Sequence, residues 1–232
     1  MSDPGNRWAV IPAAGVGRRM GASLPKQYLP LGDRLVIDHS IERLLLHPSI
    51  DGLCVVLGEH DQWWDQTEFA GHPDVVRVPG GAERCDSVLN ALRWLISHAH
   101  ADDWVLVHDA ARPCVTRDEI SRLVEVAEAE DVGCVLGMPV RDTMKRTGAG
   151  GVVRETVERE GLWHAFTPQM FRLGALHDAI TAALAAGVSV TDEASAMEWA
   201  GHPVRMVEGS PGNIKITRPG DLELAAFYLD GR

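Results

Sequence analysis

The chain has 232 residues, 45% hydrophobic and 24% charged, and its 33 acidic against 22 basic side chains leave a net charge of -11. That length suits one α/β domain able to bury most of its apolar surface, and the acidic balance excludes a general binder of nucleic acid or anionic membrane, which needs a basic face. No apolar run reaches the roughly 18 residues of a membrane span, and the start MSDPGNRW has no apolar leader core, so a cytoplasmic protein is expected. Its four cysteines form no C-x-x-C and its ten histidines no H-E-x-x-H, so neither a disulfide framework nor a zinc site is indicated.

In chain order, WAVIPA is a buried strand that runs into the glycine loop IPAAGVGRRMGASLPKQ. Gly15, Gly17 and Gly21 are spaced G-x-G-x-x-x-G, which is not the dinucleotide fingerprint, and Lys26 is followed by Gln27 rather than the Ser or Thr of a Walker loop. The loop also carries Arg18 and Arg19. For any one arginine a solvated surface role is the simpler reading, but three cations behind glycines in an acidic chain point to an anionic ligand. The glycines let backbone approach phosphate oxygens, and Arg19 and Lys26 could then neutralise a triphosphate.

LVIDHSIERLLLH reads as a helix, LCVVL and DVVRV as strands, and GGAERCDSV as a second glycine turn leading into a helix from about residue 86 to 98. Gly80 and Gly81 leave a surface against which a planar base could lie, and Ser87 is either a ligand donor or a helix cap. WVLVH is the next strand. It ends in HDAARP, where Asp109 is the metal candidate, because Mg²⁺ is held by one or two carboxylates plus substrate phosphates and waters. The alternative is that Asp109 caps a turn. Arg112 could pair with Asp109 or support that loop, and the structural role is the simpler reading.

TRDE, with Thr116 and Glu119, is a capping box that opens another helix, followed by the strand GCVLGMPV. Unbroken apolar strands alternating with amphipathic helices give a doubly wound α/β fold with a mostly parallel sheet, in a single domain. The segment from about 141 to 160 departs from this alternation. Charged and β-branched residues around TGAGG form a hairpin without a complete apolar face, so it should project as a β-arm that is either solvated or packed on another subunit. Thr217 ahead of Pro219 marks the start of a terminal helix, LELAAFYL.

PAAGVGRRMG with PKQ, GGAERCDSV, HDAARP, VRDTMKR, GLWHAFTPQ, TDEASAME and NIKITRP together closely resemble the 2-C-methyl-D-erythritol 4-phosphate cytidylyltransferase family, in the same order over nearly the whole chain. The resemblance implies a Rossmann-like fold of the sugar nucleotidyltransferase type that joins methylerythritol phosphate to CTP with Mg²⁺ and releases diphosphate. By motif, Ala13, Ala14, Gly15, Gly17, Arg19 and Lys26 would hold the nucleotide and its phosphates. Gly81, Ser87 and Ala110 would line the base and ribose pocket, and Asp109 would face the metal. Thr143 and Arg159 on the arm, with Thr167 and Thr191, would bind the sugar phosphate, the arm reaching across a homodimer. Lys215 would return a cation to the phosphates, and Gly212 stands where relatives often carry a charge.

Such chemistry needs no general base, because a phosphate monoester with a second pKa of about 6 is already ionised at neutral pH. Three other readings compete: transfer to another polyol phosphate such as ribitol 5-phosphate, a non-catalytic nucleotide-binding homologue, and an NAD-dependent oxidoreductase. The basic pair after Thr143 in VRDTMKR separates the chain from ribitol enzymes, and the glycine spacing argues against NAD, for which Glu59 would be the only ribose ligand.

Overall fold

The computed structural model describes residues 5–15 and 24–231. In chain order they form β1 (Arg7–Pro12), β2 (Pro30–Leu31), β3 (Arg34–Leu35), α1 (Val36–Leu45), β4 (Gly52–Leu57), β5 (Val75–Pro79), α2 (Arg84–Ile96), β6 (Trp104–Val107), α3 (Arg117–Glu130) and β7 (Gly133–Pro139). β8 (Met144–Thr147), β9 (Val153–Val157), β10 (Trp163–Arg172), α4 (Leu173–Ala185), α5 (Glu193–Trp199), β11 (Val204–Glu208) and α6 (Gly220–Asp230) follow. Seven strands pair in the order β11-β7-β10-β6-β1-β4-β5. β10 is antiparallel to both neighbours and the other pairings are parallel, so six strands run one way and deliver their carboxyl ends to one edge.

The alternation of side chains along these strands explains why both faces are covered. Ala9, Ile11, Leu53, Val55 and Leu106 pack with Ile37, Ile41 and Leu44 of α1 and Ile120 and Leu123 of α3. Their neighbours Val10, Cys54, Val56, Val105 and Val107 pack on the other face with Val88 and Leu92 of α2, Leu176 and Ile180 of α4, and Met197 of α5. Every residue of β4 and β6 is buried, as strands enclosed by helices require. The doubly wound, mostly parallel sheet expected from the sequence is present. What the pattern did not reveal is β10, a reversed strand whose register shifts between Ala165 and Gln169, where Pro168 has no N–H for the ladder.

Two helix starts differ in outcome. Thr116 Oγ1 accepts from Glu119 N–H at 3.2 Å and Glu119 Oε2 from Thr116 N–H at 2.8 Å, a reciprocal capping box. At α6 the roles are reversed from the simple cap, since Thr217 and Arg218 N–H both donate to Asp221 Oδ2 at 2.8 Å and the helix begins at Gly220. The helix expected from about residue 86 begins at Arg84.

The arm is a separate two-stranded antiparallel ribbon of β8 and β9. Its turn uses Gly150 and Gly151 at φ of 73° and 78°, values that L side chains rarely adopt. All of β8 is exposed, and Val152 and Val153 are 70% and 55% exposed.

Candidate active site

A cleft of about 280 Å³ lies at the carboxyl edge of the sheet, bounded by the loops after β1, β5 and β6 and by the segment after β11. Ala13, Ala14, Gly15 and Lys26 line one wall; Gly17, Arg18 and Arg19 lie outside the described residues. Gln27 is buried and its Nε2 donates to the carbonyls of Ala13 (2.7 Å) and Gly15 (3.0 Å), fixing the start of the loop. Lys26 Nζ donates to Ile216 O at 3.0 Å. A Cβ on Gly15 would meet nothing within 4 Å among the described residues.

Gly81, Glu83, Arg84 and Ser87 form the second wall. Ser87 Oγ accepts from Gly81 N–H at 3.0 Å and donates to Glu83 O at 3.1 Å, so the hydroxyl that the sequence left open between ligand donor and cap shapes the glycine turn. Gly80 and Gly81 also have a packing reason to be glycine: an added Cβ would lie 2.5 Å from Ala14 Cβ and 2.3 Å from Asp86 Cβ respectively.

Asp109, with Ala110 beside it, forms the floor. It is 8% exposed and meets three cations: Lys215 Nζ at 2.6 Å from Oδ2, Arg84 Nε at 3.2 Å from Oδ1, and Arg112 Nε at 3.6 Å from Oδ2. Burial alone would raise its carboxyl, but the charges of Arg84, Lys215 and Arg112 outweigh burial and hold it well below the usual carboxylate range. Arg112 is structural, as expected: its Nη1 donates to Asn213 O at 2.7 Å, and it lies over the Phe166 ring.

The segment carrying Lys215 is pinned from several sides. Ser210 N–H donates to the capping residue Glu119 at 2.6 Å, Asn213 Nδ2 to Thr167 O at 2.9 Å, and Ile216 N–H to Ala111 O at 2.8 Å. Gly212 is buried and its N–H donates to Ser210 Oγ at 3.0 Å, with no side chain to offer.

The four expected sugar-phosphate residues are dispersed. Thr143 and Arg159 are exposed on the arm, away from the cleft walls, where the Arg159 guanidinium donates to Arg141 O. Thr191 is exposed ahead of α5. Thr167 is 5% exposed, and its hydroxyl is committed inside the protein, accepting from Asp109 N–H and meeting His108 Nδ1, both at 3.0 Å.

Sequence reasoning missed Arg84, Glu193 and Gln27. The one available signal was at Arg84: a cation in the first turn of a helix opposes the macrodipole and asks for a reason. Among the described residues no three or more His, Cys, Asp or Glu side chains are placed together so as to hold a metal ion. With Asp109 on the floor and Glu83 at the rim, the donor set suits an ion that arrives with substrate phosphates rather than one caged by protein.

A family model described as 2-C-methyl-D-erythritol 4-phosphate cytidylyltransferase matches residues 8–231. The chain is 53% identical over 221 residues to the cytidylyltransferase of that description from Vibrio vulnificus, covering 95% of this chain and 93% of the relative. It is 55% identical over 216 residues to the one from Pseudomonas aeruginosa, covering 93% and 92%. The crystal structure of the Francisella tularensis cytidylyltransferase aligns with a TM-score of 0.83 at 37% identity, over 96% of this chain and 99% of that one. Because these matches run from the glycine loop through the cleft and the arm to the terminal helix, the chain belongs to the 2-C-methyl-D-erythritol 4-phosphate cytidylyltransferase family.

Proposed function

We propose that the chain transfers CMP from CTP to 2-C-methyl-D-erythritol 4-phosphate, giving 4-diphosphocytidyl-2-C-methyl-D-erythritol and diphosphate, in the non-mevalonate route to isoprenoid precursors. Beyond family membership, the observation that carries this reading is the placement of Lys26, Arg84 and Lys215 along one cleft with the buried Asp109 and the glycine loop. A chain with a net charge of -11 that collects cations in one cleft is built for a highly anionic ligand.

A phosphate oxygen of the acceptor attacks the α-phosphorus of CTP; a P–O bond forms there and the bond from that phosphorus to the leaving diphosphate breaks. The nucleophile is already ionised, so the obstacle is charge. Two unit charges about 4 Å apart repel by about 4 kcal/mol at an effective dielectric of 20, and several such pairs form when a dianion meets a triphosphate. Lys26, Lys215 and, by motif, Arg19 offset that repulsion and face charge that grows in the transition state, which raises kcat rather than ground-state affinity alone. Mg²⁺ is the metal expected here: Asp109, whose two oxygens are paired with Arg84, Lys215 and Arg112, would supply an oxygen to it as Lys215 turns to the phosphates, and the ion would neutralise phosphate charge.

Ala13, Ala14, Gly15, Gly17, Gly81, Ser87 and Ala110 are the nucleotide side of the site. Thr143, Arg159, Thr167 and Thr191 belong to the acceptor side, Thr167 through its hold on the Asp109 backbone. The arm serves the partner's cleft in a homodimer. Its exposed Val152 and Val153, and the marginal stability of an isolated hairpin, support that assignment. Among the described residues no helix is long and apolar enough to cross a membrane.

Diphosphate release measured with CTP and either methylerythritol phosphate or ribitol 5-phosphate tests the reading. Turnover with methylerythritol phosphate is expected, and its absence, or preference for the ribitol compound, refutes the assignment.

A further inference from the structure

Arg84 and Glu193 are joined through both ends of the guanidinium, with Nη1 2.7 Å from Glu193 Oε1 and Nη2 3.1 Å from Oε2. Glu193 is 1% exposed and opens α5. Its position is set by Gln169 of β10, whose Oε1 accepts from Ala194 N–H and whose Nε2 donates to the N-cap Asp192, both at 2.9 Å. The remaining edge of Arg84, its Nε–H, meets Asp109 Oδ1 at 3.2 Å while Lys215 takes Oδ2. Charges therefore alternate along Glu193, Arg84, Asp109 and Lys215, from a buried helix start to the floor of the cleft.

A buried ion pair contributes little net stability, because desolvation cancels most of the attraction. What the bidentate fork provides is direction. With both terminal nitrogens engaged by Glu193, the guanidinium offers its Nε edge to Oδ1 of Asp109, while Lys215 and, at 3.6 Å, Arg112 take Oδ2. Glu193 itself does not line the cleft, whereas Arg84, Asp109 and Lys215 do.

We infer that Glu193 is a positioning residue for nucleotidyl transfer, acting through Arg84 to fix Asp109 and thereby aim Lys215. This rests on the cytidylyltransferase reading. It makes α5, which supplies no substrate contact of its own through Glu193, part of the machinery that sets kcat.

The test is a double-mutant cycle of E193Q, R84M and the pair, read by steady-state transfer kinetics, CTP affinity by calorimetry, and thermal unfolding. E193Q is expected to lower kcat about tenfold while tightening CTP binding about threefold, because Arg84 then keeps only Asp109, which it shares with Lys215 and Arg112, and the cleft becomes more positive by one charge. In the R84M background E193Q should change neither quantity by more than about twofold, the mark of a residue that acts through another. Losses in kcat that multiply, or CTP affinity that falls in step with kcat as a general packing defect would produce, overturn the inference. Should E193Q fail to fold, E193D shortens the carboxylate arm without removing its charge, and its kcat loss must likewise vanish when Arg84 is Met. A wild-type protein that binds CTP but transfers nothing refutes the functional reading instead. The affinity arm then decides alone: tightening confined to the Arg84 background supports the role of Glu193, and no shift or an equal shift in both backgrounds overturns it.

Discussion

Replacing Asp109 by Asn removes one charge and almost no volume, yet it should unsettle the protein before any substrate is added. The carboxylate is 8% exposed and touches Lys215, Arg84 and Arg112 at 2.6, 3.2 and 3.6 Å. At an effective dielectric of about 20 each contact is worth about 5–6 kcal/mol gross, most of which the cost of burying the carboxylate cancels. Removing one partner leaves the others buried and unpaired, at about 3–5 kcal/mol. The lower end applies, because Arg84 keeps Glu193 and the Lys215 side chain is 39% exposed. About 3 kcal/mol lowers the Tm of a chain this size by about 6–12 °C. Thermal unfolding at pH 7, without divalent cation, measures it. Saturating CTP should then narrow the gap between D109N and wild type, because the triphosphate supplies the missing anion and no longer competes with Asp109 for Lys215. If D109N melts with wild type, or CTP leaves the gap unchanged, the carboxylate does not organise these cations.

Lys26→Met should lower kcat at least about 10²-fold, the scale of one preorganised donor, with a smaller loss of CTP affinity; a near-normal kcat with raised KM would show that Lys26 binds only the ground state. Arg159→Ala should raise the KM for methylerythritol phosphate about tenfold or more and barely alter that for CTP, and equal losses for both would refute the division between arm and cleft. Stability should also fall as pH drops from about 6.5 toward 4. Burial lowers His108 to about 4, so the unfolded chain takes up a proton in this window that the folded one refuses, at up to about 1.4 kcal/mol per pH unit; burial depresses His47 as well, which acts in the same direction. Asp109, held below the usual carboxylate range, adds to the loss only at the acid end, where its carboxyl in the unfolded chain begins to protonate; a flat profile from chemical denaturation at pH 6.5, 5.5 and 4.5 would contradict the histidine argument.

How far the sequence could be read depends on the range of the force involved. The doubly wound core was legible because burial on both faces writes itself into short uninterrupted runs such as LCVVL and WVLVH, and the Thr116 cap because its partner is three residues away. The loops with Lys26, Asp109 and Lys215 were legible as motifs. By contrast, the reversed direction of β10 leaves no periodic trace, since a strand enclosed on both faces has the same composition whichever way it runs. The Arg84–Glu193 pair joins residues 109 positions apart, and nothing local distinguishes a glutamate that meets a guanidinium from one that faces water. Thr167 shows the same limit from the other side. Its motif suggested substrate contact, but its hydroxyl is directed by the backbone of Asp109 and the ring of His108.

That last network bears on the chemistry. His108 is the residue next to the floor carboxylate and would be the natural suspect for a general base, but both ring nitrogens are engaged. Asp109 N–H donates to Thr167 Oγ1, so that hydroxyl turns its own proton toward His108 Nδ1, and Nε2–H is left to donate to Arg112 O at 3.0 Å. The ring is fully buried and, with its pKa lowered to about 4, stays neutral at pH 7. Its acceptor nitrogen is spent on a buried hydroxyl and its other nitrogen bears the proton, so it has neither an open lone pair nor a route to the cleft. A phosphate nucleophile that arrives ionised asks for no such base. The histidine instead orients the backbone of Asp109, and a site organised around cations loses nothing by having its nearest imidazole locked away.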